Sequence, residues 1–205
     1  MKQEVFEIVQ EMNLKDIETQ LALQCAPLIV GLKMSNLLII ESDNLHEVRQ
    51  ILKDSCISCF TLSRTERRSM FLLYNEEKLM AYLAEKSVKY FLAECGYTEA
   101  SLFEILPAFQ LRYQKYVSGK GGFPHEMGVL LGYPIEDVKG FIENEGENFL
   151  YTGYWKVYAN LSVKIQLFRK FEIARETLIQ LVSSGLSIAD IIKFYSNREW
   201  KIAAV

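Results

Sequence analysis

Val5, Ile8, Val9 and Met12 recur at the three- and four-residue spacing of one helix face, which predicts an amphipathic helix over residues 2–12. A second helical stretch is expected from Asn13, a suitable N-cap, with Ile17, Leu21 and Leu23 on one side. It runs into Gln24-Cys25-Ala26-Pro27. Proline disrupts a helix interior but suits a first turn, so a break and restart near Cys25 is expected, followed by a wholly apolar segment from Pro27 to Leu32. Leu37 to Ile40 reads as a buried strand, and a helix over 43–53 follows with Ser42 or Asp43 as cap. Cys56 to Leu62 and Arg68 to Tyr74 read as an antiparallel pair of strands joined by the charged loop Ser63-Arg64-Thr65-Glu66-Arg67.

Beyond the hairpin the pattern turns helical, over 76–95 with Gly96 as a stop, and again over 98–117. Ser118-Gly119-Lys120-Gly121-Gly122 is the stretch of greatest expected flexibility. Two short helices, 125–131 and 135–144, are split by Gly132-Tyr133-Pro134. An aromatic strand-like segment from Phe149 to Tyr158 precedes helices over 162–183 and 187–195. The pattern holds no internal repeat and no low-complexity tract. Helices dominate, and the few strands have antiparallel neighbours. The expected class is α+β, one helix-rich domain over 1–205 with a small antiparallel sheet.

Composition narrows the function classes. The 205 residues are 50% apolar with a net charge of −3, too hydrophobic and too weakly charged for disorder as the main state. The acidic balance argues against a dedicated nucleic-acid binder. The first residues lack the apolar run of an export signal, and apolar runs elsewhere stop short of the roughly 18–20 residues that a membrane span needs. Cys25, Cys56, Cys59 and Cys95 are therefore expected as thiols in a reducing cytoplasm.

Only two histidines, His46 and His125, are available for imidazole chemistry. His46 sits among charges on a helix and reads as a surface residue. His125 follows the glycine loop and opens a helix, a setting in which catalytic groups concentrate, although its own backbone could equally satisfy it. Cys25, at an expected helix start, would have its thiolate stabilised by free N–H groups and the helix dipole; the plainer reading is a small core cysteine. Cys56 and Cys59 lie three apart in a strand, on opposite faces, and no second pair exists to complete a metal or redox site. A Cys–His pair needs an orienting acid, for which Glu136 and Asp137 are candidates; the shorter Asp137 is preferred, with helix N-terminal stabilisation as its ordinary role. Gln20 and Gln24 are candidate oxyanion donors beside the Cys25 N–H. Tyr154 and Trp155, with Tyr151 and Tyr158, form either a wall for an aromatic or extended acyl ligand or ordinary core. Gly119, Gly121 and Gly122 lack the pattern of a phosphate loop, so neither a nucleotide cofactor nor a metal is expected.

The segments Gln24 to Lys33 and Phe123 to Ile142 resemble two signature blocks of a clostridial family known as domain of unknown function 3793. Gly153-Tyr154-Trp155-Lys156-Val157-Tyr158 resembles its third. The resemblance extends to a member that forms amide bonds in closthioamide biosynthesis and is papain-like without being a protease. It implies a papain-like fold with Cys25 as nucleophile, His125 as base and Asp137 as orienting acid. The implied reaction takes an acyl chain from a carrier-protein thioester through a Cys25 acyl-enzyme to a small amine, without a cofactor. A cysteine peptidase or amidase would use the same triad, and in a non-enzymatic interaction protein these residues would be structural. Arg64, Arg67 and Arg68 form a local cationic cluster that would suit an acidic carrier protein or simply a solvated loop.

Overall fold

The computed structural model describes residues 2–41, 44–98 and 101–197. The chain runs through α1 (Gln3–Glu11), α2 (Ile17–Ile29), β1 (Ser35–Glu41), α3 (Leu45–Leu52), β2 (Ile57–Arg64) and β3 (Arg68–Asn75). It continues with α4 (Glu76–Leu83), α5 (Lys86–Glu94), α6 (Leu102–Val117), α7 (Glu126–Leu130) and α8 (Ile135–Glu143). The hairpin β4 (Tyr151–Thr152) and β5 (Lys156–Val157) then leads to α9 (Leu161–Ser183) and α10 (Ile188–Asn197). This is a helix-rich α+β fold with a small antiparallel sheet. None of the described helices is long and apolar enough to cross a membrane.

Strands β1, β3 and β2 lie in that spatial order, and both pairings are antiparallel. Register explains how the sheet is used. Asn36, Leu73 and Cys59 stand in one row, and Leu37, Leu72 and Phe60 in the next, pointing to opposite faces. One face carries Leu38, Ile40, Phe71 and Leu73 into a core shared with α2, α3, α9 and α10. The other carries Leu62 and Leu72 into a core built from α4 to α8. A third cluster gathers Trp155, Val157, Phe168 and Phe171 around the β4–β5 hairpin.

Three local expectations are corrected. Helix α2 does not break near Cys25: it starts after Asp16, whose carboxylate accepts from Thr19 N at 2.8 Å, and continues through Pro27. An interior proline costs about 3 kcal/mol. Here burial of Leu21, Ala22, Cys25, Ala26, Leu28 and Ile29 along the same helix outweighs that cost. The helix ends instead at Gly31, at φ +78°, where Gly31 N donates to Leu28 O at 2.9 Å and Leu32 N to Pro27 O at 2.8 Å, the Schellman arrangement. The helix expected over 76–95 is two, because the chain extends at Glu85, letting Leu79 and Leu83 on one helix and Val88, Phe91 and Leu92 on the next enter the same core. The aromatic segment 149–158 forms only two residues of strand on each side of its turn. Ser42 and Asp43, the expected caps of α3, lie outside the described residues.

Candidate functional site

A cavity of about 280 Å3 is bordered by α7, α8 and the β4–β5 hairpin. Met127, Leu131, Tyr133, Val138, Phe141, Tyr154 and Trp155 supply apolar wall, and His125, Asp137 and Lys156 supply the ionisable groups. Close helix approach makes the walls possible. A Cβ on Gly128 would stand 2.9 Å from Val138, and one on Gly140 would stand 2.5 Å from the Tyr158 side chain. The expected pocket residues Tyr154 and Trp155 both line this space. Trp155 stacks on Tyr133 with ring centroids 4.8 Å apart and meets Phe168 edge-on at 4.6 Å.

Asp137 holds this wall in place. It is 2% exposed, its Oδ2 accepts from Trp155 Nε1 at 2.8 Å, and its Oδ1 accepts from Tyr158 N at 2.8 Å and Ala159 N at 3.1 Å. Lys164 Nζ lies 3.9 Å away and bonds Glu136 at 2.7 Å. The carboxylate expected to orient an imidazole is thus occupied by the hairpin it anchors. His125 shares the cavity, with its ring 5.4 Å from that of Phe123 and 6.0 Å from that of Phe141. Among the described residues none makes a hydrogen bond to that ring.

Cys25 lies elsewhere, fully buried in the core between α2 and the sheet. Its Sγ donates to Leu37 O at 3.6 Å, and Asn36 Nδ2 stands 3.9 Å from it. Burial pushes the thiol up to about 12, against the smaller opposing pull of Lys33 and Asn36. A thiolate was expected at a helix start; the residue instead stands in the last turns of α2, where the dipole opposes negative charge. Lys33, on the turn that follows α2, is 9% exposed. Its Nζ donates to Asn36 Oδ1 at 3.2 Å and lies 5.3 Å from the centre of the Tyr133 ring. No described carboxylate pairs with it, and burial lowers its amine to about 8. Thiol, amide and amine therefore form one buried polar cluster whose far end touches the cavity wall at Tyr133.

The structure brings Asp137 and His125 to one cavity but engages Cys25 with different partners. The oxyanion candidates have other partners as well. Gln24 Nε2 donates to Ile39 O at 2.9 Å while its Oε1 accepts from Ile39 N at 2.9 Å, and Gln20 Nε2 donates to Leu14 O. The cysteine that shares a surface groove with His125 is Cys95, beside Arg112 and Lys115. Burial, with the Glu126 charge, raises the Cys95 thiol to about 11. Glu126 itself is buried and receives Arg112 Nη1 and Tyr97 Oη, each at 3.0 Å.

Sequence reasoning missed Lys33 and Asn36. A signal was present: Lys33 is the only charged residue between Glu18 and Glu41. A charge held in so apolar a stretch is a marker of a built environment.

Fold and site together define a helix-rich α+β protein with an aromatic cavity beside a buried thiol–amide–amine cluster. The chain belongs to the family described as protein of unknown function (DUF3793), whose model matches residues 21–192 and so spans Cys25, Lys33, Asn36, His125, Asp137 and Trp155. No curated protein and no solved structure matches it.

Proposed function

We propose that this chain is a cysteine acyltransferase in which the aromatic cavity holds the apolar part of an acyl donor and Cys25 is the nucleophile. The observation that carries this reading is continuity. Cys25, Asn36, Lys33 and Tyr133 follow one another in contact, and Tyr133 is a wall of the cavity. Aromatic walls favour an aryl or extended alkyl group at roughly 25 cal/mol per Å2 of apolar surface removed from water. Lys156, bonded to Gly146 O at 2.5 Å and lying over Phe149, and His125 put a basic edge on the cavity for a carbonyl oxygen.

Sγ attacks the thioester carbonyl, the C–S bond to Cys25 forms, and the donor thiol leaves with a proton. A small primary amine then attacks the acyl-enzyme, the C–N bond forms and the thiol is regenerated. The donor is an acyl or peptidyl carrier protein thioester, activated already, so no nucleotide is consumed. Because Cys25 is fully buried, acylation proceeds through a local opening. In this reading Asp137 serves as the anchor of Trp155, and His125 borders the acyl group. A papain-like relationship is supported by the packing of the cysteine helix α2 against β1. It is weakened by His125 opening α7 instead of lying on a strand of the sheet. The reducing cytoplasm belongs to the same reading.

The test is incubation with benzoyl and octanoyl thioesters of N-acetylcysteamine, followed by intact mass and peptide mapping. One acyl group on Cys25 is expected, absent in Cys25→Ala, retained in Cys56→Ala, and converted to an amide when a primary amine is added. Discharge to free acid in the presence of the amine would point to the peptidase or amidase chemistry. A folded protein that acquires no acyl group at Cys25 would falsify the reading and leave an interaction protein.

A further inference from the structure

We infer that Lys33, and not His125, is the group that accepts the proton of Cys25. This rests on Cys25 being the nucleophile and adds the base.

The geometry begins at the end of α2. Gly31 in the left-handed region reverses the chain, and Lys33 N donates to Pro27 O at 2.9 Å, so Lys33 is returned towards the helix it follows. Asn36, the second residue of β1, stands in the row that faces α2. Its Nδ2 donates to Gln24 O at 2.6 Å and Leu37 O at 3.0 Å. Both partners only accept, so the amide orientation is decided: nitrogen towards the helix and the thiol, oxygen towards Lys33. Asn36 thereby holds the amine on one side of its amide and the thiol on the other.

The amine is chemically suited to the task. A buried ammonium whose company among the described residues is an amide oxygen and a ring face is weakly held, and burial lowers the amine to about 8. A neutral amine accepts a proton; an ammonium in a carboxylate pair does not. Two titratable groups act on the thiol: Lys33 from the turn after α2 favours its ionised form, and Cys59 from β2 opposes it. Cys25 is the group whose charge acts on Lys33. His125 offers no comparable path, since its neighbours are the rings of Phe123 and Phe141.

As Sγ bonds the acyl carbon, its proton passes to Lys33 Nζ through water admitted by the opening that exposes Cys25, because the Asn36 amide stands between the two groups. The resulting ammonium returns the proton by the same route to the departing donor sulfur. In the second half Lys33 takes a proton from the attacking amine and gives it back to Cys25. Atoms and charge balance with thioester and amine as the only reactants.

The experiment follows iodoacetamide alkylation of Cys25 by peptide mapping from pH 6 to 10, in the native chain, Lys33→Met, Lys33→Arg and His125→Ala. The native rate is expected to rise around pH 8. Both Lys33 variants lose that rise and fall by at least about tenfold at pH 9, while His125→Ala keeps it. Lys33→Arg retains a cation but does not release its proton, so its loss separates proton acceptance from charge alone. Urea midpoints establish that each variant is folded; Lys33→Gln replaces any that is not. A native-like profile in Lys33→Arg, or loss of the rise in His125→Ala, overturns the assignment of the base and leaves the nucleophile standing. A native chain in which Cys25 stays unlabelled at every pH, while urea exposes it to labelling, overturns the nucleophile and the base together.

Discussion

Asp137 illustrates how one side chain can hold the wall of a cavity. Three N–H donors converge on its carboxylate, two from the backbone that follows β5 and one from the Trp155 indole. Asp137→Ala leaves those donors buried and unpaired, which is expected to cost about 3 kcal/mol of unfolding free energy. Asp137→Asn keeps an oxygen for the two backbone donors but turns an N–H towards the Trp155 N–H, so it recovers only part of that loss. Urea midpoints followed by circular dichroism check both. If the carboxylate served only to orient His125, both variants would unfold at the native midpoint. At the same scale Lys33 was hidden because a cysteine suggests histidine and acid partners, whereas Cys25 has the Asn36 amide beside it and the Lys33 amine on that amide's far side.

Among the elements, the sheet owes its isolation to two glutamines. Gln24 on α2 pairs with both polar groups of Ile39 on the free edge of β1, and Gln110 on α6 donates to Thr61 O at 2.6 Å on β2, where the register shifts. Unpaired strand edges invite pairing with other chains. Gln24→Leu is therefore expected to lower the unfolding free energy by about 1–2 kcal/mol and to increase aggregation, measured by urea titration and light scattering. The contact of α8 with the β4–β5 hairpin is equally specific. Gly140→Ala places a methyl group 2.5 Å from Tyr158, which is expected to cost about 1–3 kcal/mol and to open the cavity wall. Weaker quenching of tryptophan emission by 1-naphthoate, at temperatures where the variant is still folded, is the accompanying readout.

The whole molecule should respond to alkali in two opposing ways. Lys33 titrates near 8 in the folded chain against an ordinary 10.5, so between those values the unfolded chain binds more protons and stability rises with pH. Cys25 titrates near 12, and Cys59 and Cys95 near 11, against an ordinary 9.0, so above pH 9 the folded chain binds more protons and stability falls. The expected profile climbs towards about pH 8.5, where the one amine balances the first ionisation of three thiols in the unfolded chain, and declines beyond about pH 9. Lys33→Met should remove the climb and keep the decline, as read from urea midpoints at pH 7, 8.5, 10 and 11. A native climb that survives in Lys33→Met would mean that another group supplies it.

The helical spacing of Val5, Ile8 and Val9, the two β-prone runs of β2 and β3 on either side of a charged loop, and the glycine and proline punctuation of α7 and α8 made those elements legible in the sequence, because each is specified by neighbours a few residues away. So were the class and the family blocks around Cys25 and His125. The interior proline of α2 was not legible, since its tolerance comes from burial against α9 and β1. Nor was the break at Glu85, where two helices turn their apolar sides into one core. The partners of Cys25, His125 and Asp137 depended on which side of a three-stranded sheet each element packs, and that is a property of register and burial. Local pattern determined the elements and the residue types available for chemistry. Only tertiary packing decided that the buried thiol faces Asn36 and Lys33, because a group's neighbours in the core come from distant segments whose meeting no short stretch of chain encodes.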